Sequence, residues 1–269
     1  MDGVRHAVPG AGGVDIGLLS AGSGPPLLLV HGGVGQIERW QPLWDELSTR
    51  WRVTAMDRRG RGSSGDGSGY SIEDEFQDVT AVASALSKDA GMPIDVFGHS
   101  YGATCTLGAS GRAAPFRRIV LYEPPGKETV SPDFVERLDA LVVEGRSGKA
   151  MVSFLVEIIG LTTEEVDDLR STPPAYDILS VLSRTLPREA RALLGVDVAT
   201  VASGAKTPAL FLLGERSPEW AHVITYKAAE KMPISAVTIL AGLGHEAIDA
   251  TPALVADALA RFFNYPDTG

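Results

Sequence analysis

The chain has 269 residues, 44% hydrophobic and 22% charged, which is enough for a sizeable core in one or two domains and unlike a disordered chain. With 24 Lys and Arg against 34 Asp and Glu, the formal charge of -10 repels phosphate backbones and anionic lipid, so neither nucleic acid nor membrane is an expected partner. Apolar runs stop well short of the roughly 18 residues of a membrane span; no basic, then apolar leader opens the chain, and a lone Cys105 fits a reducing compartment, so the cytoplasm is expected.

In chain order, "VRHAV" and "VDIGLLS", separated by "PGAGG", read as an antiparallel hairpin on a sheet edge. Short β-rich runs follow at 27–30, 52–56, 94–97, 118–121, 210–213 and 237–240, each leading through a loop into a helical pattern. That alternation marks an α/β fold with a mostly parallel sheet covered on both faces. Ser71 before "IEDEFQDVTAVASAL" predicts an N-cap with Asp74 at the third helical position, and Thr251 before "PALVADALARFF" predicts another, with Pro252 in the first turn.

One stretch departs from the alternation. From 126 to 205 the patterns are helical and no strand is expected, so the chain divides into a discontinuous core, 1–125 with 206–269, and a helical insertion. Helices such as "KAMVSFLVEIIGL" carry more apolar residues than one buried stripe requires. The insertion leaves the sheet past a strand's carboxyl end, where ligands bind in open α/β sheets, and is expected to be a cap over a pocket.

The chemistry concentrates in "DVFGHSYGATCTLGAS", residues 95–110, where a strand passes through Gly98-His99-Ser100-Tyr101-Gly102 into a helix. G-x-S-x-G in that context places Ser100 on a tight, strained turn as a nucleophile. A serine hydroxyl needs a base within hydrogen-bond reach. Of five histidines, His245 follows the last strand in the Gly-rich loop "AGLG" and is the one expected to reach Ser100; His6, His31, His99 and His222 lie in a hairpin, a loop, the elbow and a helix. In "LLLVHGGVG" the Gly33 N–H, with that of Tyr101, is expected to form an oxyanion hole. Trp40 and Trp44, soon after that loop, are expected to line a pocket for a small to medium, mostly apolar substrate.

Other patterns carry less. Gly60 to Gly65 satisfies G-x-G-x-x-G, but "DGSGY" follows in place of a helix, so no dinucleotide is expected. "HEAID" has Asp249 where a zinc motif needs its second histidine, and no metal or other cofactor is expected.

"VHGG", "MDRRGRGSS", "VFGHSYG", "VLYEPP", "FLLGERSP" and "GLGHEA" occur in the order and approximate spacing of the α/β-hydrolase superfamily, which the whole chain resembles. The resemblance implies an eight-stranded sheet with a helical cap after the sixth strand, Ser100 as nucleophile and His245 as base. It also exposes a departure: the usual aspartate beyond the strand in "ALFLLGERSPEW" is replaced by Ser217. Two carboxylates remain, Glu215 at that strand end and Glu123 in "YEPP". Proteins similar to the zearalenone lactonases place the acid after the sixth strand, as Glu123 would be. The expectation is a serine esterase or lactonase with Ser100, His245 and Glu123 as its triad and an ester or lactone as its small-molecule partner. Acyl transfer, carbon–carbon hydrolysis and ligand sensing without turnover are the alternatives, and the oligomeric state is left open.

Overall fold

Side chains alternate across a strand, and where both alternating sets are apolar the sheet must be covered on two faces. The computed structural model describes residues 1–264, so positions 265–269 of the expected core lie outside the described residues. Its strands are β1 (Val4–Pro9), β2 (Asp15–Ala21), β3 (Pro26–Val30), β4 (Arg52–Met56), β5 (Ile94–His99), β6 (Phe116–Tyr122), β7 (Ala209–Gly214) and β8 (Ser235–Leu240). They form one eight-stranded sheet in the order β1-β2-β4-β3-β5-β6-β7-β8. The β1–β2 and β2–β4 pairings are antiparallel and all others parallel, as expected of an edge hairpin on a parallel sheet.

Helices α1 (Gln41–Ser48), α2 (Ile72–Ala90) and α3 (Tyr101–Ser110) fall between the early strands. Between β6 and β7 come α4 (Pro132–Val143), α5 (Ser147–Phe154), α6 (Thr163–Arg170), α7 (Pro173–Leu182), α8 (Leu186–Leu193) and α9 (Val198–Ser203). The chain continues through α10 (Glu219–Lys231), α11 (Ala247–Ala250) and α12 (Pro252–Phe263). Leu28, Val30, Val96 and Ile119 pack with α2, α3, α9 and α10, whereas Leu27, Leu29, Phe97 and Val120 pack with α1 and α12. A third cluster, with Phe134, Leu138, Met151, Ile158 and Leu186, holds the inserted helices together. Within the insertion α9 packs with the sheet-flanking helices, so α4 to α8 make up the separate layer.

Ser71 and Asp74 make the expected capping box at α2. Thr251 does occupy the N-cap of α12, with Pro252 beginning the helix, but its side chain makes no capping bond. The reason is local: α11 runs directly into it, and the Thr251 N–H still donates to Ala247 O at 2.9 Å. Among the described residues no helix is long and apolar enough to cross a membrane.

The strand order sets the site. Going from β3 the chain steps outward to β4, then returns past β3 to β5, so the carboxyl ends of β3 and β5 border the point where the direction of winding reverses. Loops leaving those two ends diverge and open a crevice. Ser100 follows β5 and Gly33 follows β3.

Candidate active site

β5 ends at His99 and α3 begins at Tyr101, so Ser100 alone turns the chain, at φ 53° and ψ -125°. Few residues with a Cβ adopt such angles, and they persist only where surrounding bonds impose them. Here the Ser100 N–H donates to Tyr122 O at 2.8 Å and its carbonyl accepts from the Ala103 N–H at 2.7 Å. The flanking glycines are required by close approach: a Cβ on Gly98 would lie 2.7 Å from the Gly102 oxygen, and one on Gly102 would collide with the Val30 carbonyl. Tyr101 is the first residue of α3, so its N–H has no intrahelical acceptor, and it lines the same pocket wall as Gly33 and Ser100.

His245 is brought to this place from the far end of the chain. Its Nδ1 lies 2.5 Å from Glu123 Oε2, with both side chains buried, and Ser100 and His245 border one cavity. Burial pulls the His245 pKa down, but the hydrogen bond and charge of Glu123 outweigh it and hold the ring above its ordinary 6.5. With Nδ1 donating to the carboxylate, Nε2 is left as the ring's acceptor.

Glu123 follows β6 at φ 49°, an unusual angle for a residue with a side chain, and all its polar valences are used inward. Its Oε1 accepts from the Gly214 N–H at 2.7 Å and from the Ser217 hydroxyl at 2.5 Å. Ser217, which fills the expected aspartate position, therefore touches the carboxylate that comes from the neighbouring strand. Glu215 instead is exposed and accepts the Gly242 N–H at 2.6 Å. The structure brings Glu123, and not Glu215, onto His245.

The other histidines have different occupations. His99 is buried, with Nε2 3.3 Å from His245 O and its ring centre 4.8 Å from that of His245, so it supports the loop that carries His245. Burial, then the nearby His245 charge, keeps its pKa well below 6.5. Burial and the Arg58 charge do the same to His31, whose Nε2 accepts the Arg58 N–H at 3.1 Å. The Tyr122 hydroxyl donates to Gly244 O, holding the His245 loop from a second side.

The tryptophan expectation is corrected. Trp40 and Trp44 are 0% and 2% exposed and belong to the core beneath the sheet, with the Trp40 ring 5.3 Å from that of Phe97. Trp40, Leu43, Trp44 and Leu47 recur at helical spacing, which turns the whole stripe onto the sheet and away from the crevice. Accordingly Trp44→Ala should lower unfolding stability by about 3–5 kcal/mol. In a urea titration the midpoint falls, while KM stays within about twofold at temperatures where the variant is folded; a raised KM at unchanged stability would restore the pocket role.

Much of the wall comes from the helices between β6 and β7. A narrow pocket of about 30 Å³ lies against Ser100, Gly33 and Tyr101, enclosed mainly by apolar groups that include Phe134, Ile158, Leu186 and Trp220. A wider cavity of about 680 Å³ lies on the His245 side, with Leu179, Leu182 and Ile159 on its walls and Arg39, Glu246 and Asp249 nearer its rim. Phe154 borders both. Sequence reading missed Trp220, whose ring lies 5.8 Å from that of His245 while its Nε1–H donates to Ile158 O at 2.8 Å. It also missed Glu189 on α8, buried and bonded to Arg58 at 2.9 Å and Arg61 at 2.8 Å, which ties the insertion to the loop after β4. Among the described residues no three His, Cys, Asp or Glu side chains gather as metal ligands would.

Comparison with known proteins bears on descent. A model of the alpha/beta hydrolase family matches residues 27–258. The solved structure of an alpha/beta hydrolase from Sphaerobacter thermophilus DSM 20745 superposes with a TM-score of 0.83 at 31% identity, covering 96% of this chain and 100% of that one. The 2-(acetamidomethylene)succinate hydrolase of Mesorhizobium japonicum is 24% identical over 93% of this chain and 94% of its own length. The 2-hydroxy-6-oxo-2,4-heptadienoate hydrolase of Pseudomonas putida is 33% identical, but the match spans only 49% of this chain and 48% of that relative. A family match that takes in most of the chain, and a 31% identical structure aligned almost end to end, leave one conclusion: the chain belongs to the alpha/beta hydrolase family.

Proposed function

We propose that this chain is a cofactor-independent serine hydrolase that cleaves a carboxylic ester or lactone through an acyl-enzyme. The observation that carries the reading is the buried Glu123–His245 pair, whose His245 borders the same cavity as a serine held at strained elbow angles. As Ser100 Oγ attacks the carbonyl carbon, its proton passes to His245 Nε2. Glu123 fixes the tautomer and stabilises the imidazolium. The oxygen of the tetrahedral intermediate takes hydrogen bonds from the Gly33 and Tyr101 N–H groups. Collapse breaks the bond to the leaving oxygen, which takes the proton from Nε2. Water then attacks the acyl-serine by the same route and releases the acid and the free serine.

The α4–α8 layer acts as the cap, and its leucines, isoleucines and Phe154 suit a small to medium, mostly apolar substrate. We keep the cytoplasm as the compartment, on the strength of a single, buried, unpaired cysteine, Cys105. The test is a panel of esters, lactones and thioesters assayed with wild type and Ser100→Ala side by side. Turnover of an ester or lactone that depends on Ser100 supports the proposal; equal, background rates would favour a ligand sensor on the same scaffold.

A second reading is hydrolysis of a carbon–carbon bond beside a ketone. It is favoured by the relative named 2-hydroxy-6-oxo-2,4-heptadienoate hydrolase, whose named substrate holds a ketone and no ester. Including a vinylogous 1,5-diketone in the panel separates the two.

A further inference from the structure

The two cavities at Ser100 differ in size by more than an order of magnitude and differ in one lining residue that decides their use. Ser100 and Gly33 border both; the wide one, of about 680 Å³, is also bordered by His245, and the narrow one, of about 30 Å³, by Tyr101 but not by His245. In acyl transfer the base that took the serine proton returns it to the leaving oxygen, so the leaving group must sit against the imidazole. The acyl chain then extends from the carbonyl carbon in the other direction. On these grounds we infer that the wide cavity receives the alcohol portion of the substrate, and that the narrow pocket admits only a short acyl group of about two or three carbons. The inference rests on the serine-hydrolase reading above and sharpens it.

At about 30 Å³ against about 680 Å³, the narrow pocket has far less free room than the wide one and favours the shorter part of a substrate. The walls are not easily pushed back. Phe134, Ile158 and Leu186 are 4%, 7% and 2% exposed and belong to the cluster that holds the insertion together. Trp220 closes another side, its indole fixed by the bond to Ile158 O. Glu189 lies at the same wall with its carboxylate occupied by Arg58, Arg61 and Thr185, so a chain ending in a carboxylate meets a like charge there, with no Lys or Arg among the described residues that line the pocket. A lactone ring must place several ring carbons on the acyl side while its oxygen stays at His245, which the narrow pocket opposes. Acyclic acetates and propionates of bulky alcohols are therefore the favoured class.

The test uses two series with purified full-length protein. In the first, the p-nitrophenyl leaving group is constant and the acyl group runs from acetate through butyrate and hexanoate to octanoate. In the second, acetate is constant and the alcohol grows from ethyl to naphthyl. Each kcat/KM is divided by the ester's alkaline hydrolysis rate to remove intrinsic reactivity. The expected result is a fall of about tenfold or more between acetate and hexanoate, since misfit of a few methylenes in a closed apolar pocket costs that much, with no such fall along the alcohol series. Phe154→Ala, which removes the one apolar side chain that lines both cavities, should raise the hexanoate-to-acetate ratio by about tenfold. Val130→Ala, which also enlarges the lining of the narrow pocket, should move the ratio the same way and serves if the first variant misfolds. Hexanoate or octanoate equalling acetate in the wild type overturns the inference and leaves the serine-hydrolase reading intact. Absence of Ser100-dependent turnover in both series overturns the two together.

Discussion

Replacing Ser100 with alanine is expected to lower kcat by about 10⁵- to 10⁶-fold, the scale of loss when a nucleophile that works as a unit with its base is removed. The substitution takes away one oxygen from a buried corner and leaves every backbone bond that shapes it, including Ser100 N–H to Tyr122 O at 2.8 Å. Alanine inherits the same φ of 53°, so the strain is neither added nor relieved. The melting temperature should accordingly shift by less than about 4 °C, the equivalent of roughly 1 kcal/mol for a chain of this size. A variant that melts normally and keeps more than a few per cent of wild-type kcat would show that the elbow serine is not the nucleophile.

Glu123→Gln should cost about two to four orders of magnitude in kcat, whereas Glu215→Gln should cost about tenfold or less. The glutamine keeps shape and volume, and its carbonyl can still accept from the Gly214 N–H and the Ser217 hydroxyl. Its amide then presents hydrogens to His245 Nδ1, which stabilises the tautomer whose proton sits on Nε2, where the serine proton has to go. The pH dependence gives a second signature. Glu123 holds the His245 pKa above 6.5 against the opposing pull of burial. The base must be neutral to act, so in the wild type kcat/KM should fall as pH drops through a value above 6.5. Without the carboxylate, burial dominates, and the residual activity of the glutamine variant should lose its acid limb at lower pH than wild type. A reversed ranking of the two glutamates would move the acid to the β7 end; an unshifted limb in Glu123→Gln would detach Glu123 from His245.

Parts of this arrangement were legible in sequence because they are written in local patterns. The sheet follows from strand–helix alternation, and the elbow from two glycines spaced about one serine. Glu123 became visible through an absence, the serine at position 217. That Ser217 itself bonds Glu123 could not be read, because it depends on the ends of β6 and β7 being neighbours across 94 positions of chain. The Glu189 network is hidden for the same reason, with Arg58 and Glu189 131 positions apart. The tryptophans are a different kind of miss. Trp40, Leu43, Trp44 and Leu47 carry the spacing of a buried helix face, and that signal lay in the sequence, outweighed by their nearness to the glycine loop. The division of the crevice into a narrow and a wide side required the inserted helices in place, since Phe154, Ile158 and Leu186 gain meaning only where they face Ser100.

The central claim is that Ser100 is a nucleophile activated by His245 and Glu123, and covalent capture tests it most directly. A fluorophosphonate incubated with wild type and with Ser100→Ala is followed by intact-protein mass spectrometry and peptide mapping. The account predicts one adduct per chain, located on the peptide that contains Gly98 to Gly102, formed much more slowly in Glu123→Gln and absent from Ser100→Ala. An adduct of equal yield in Ser100→Ala, or a wild type that forms none while folded, would contradict it.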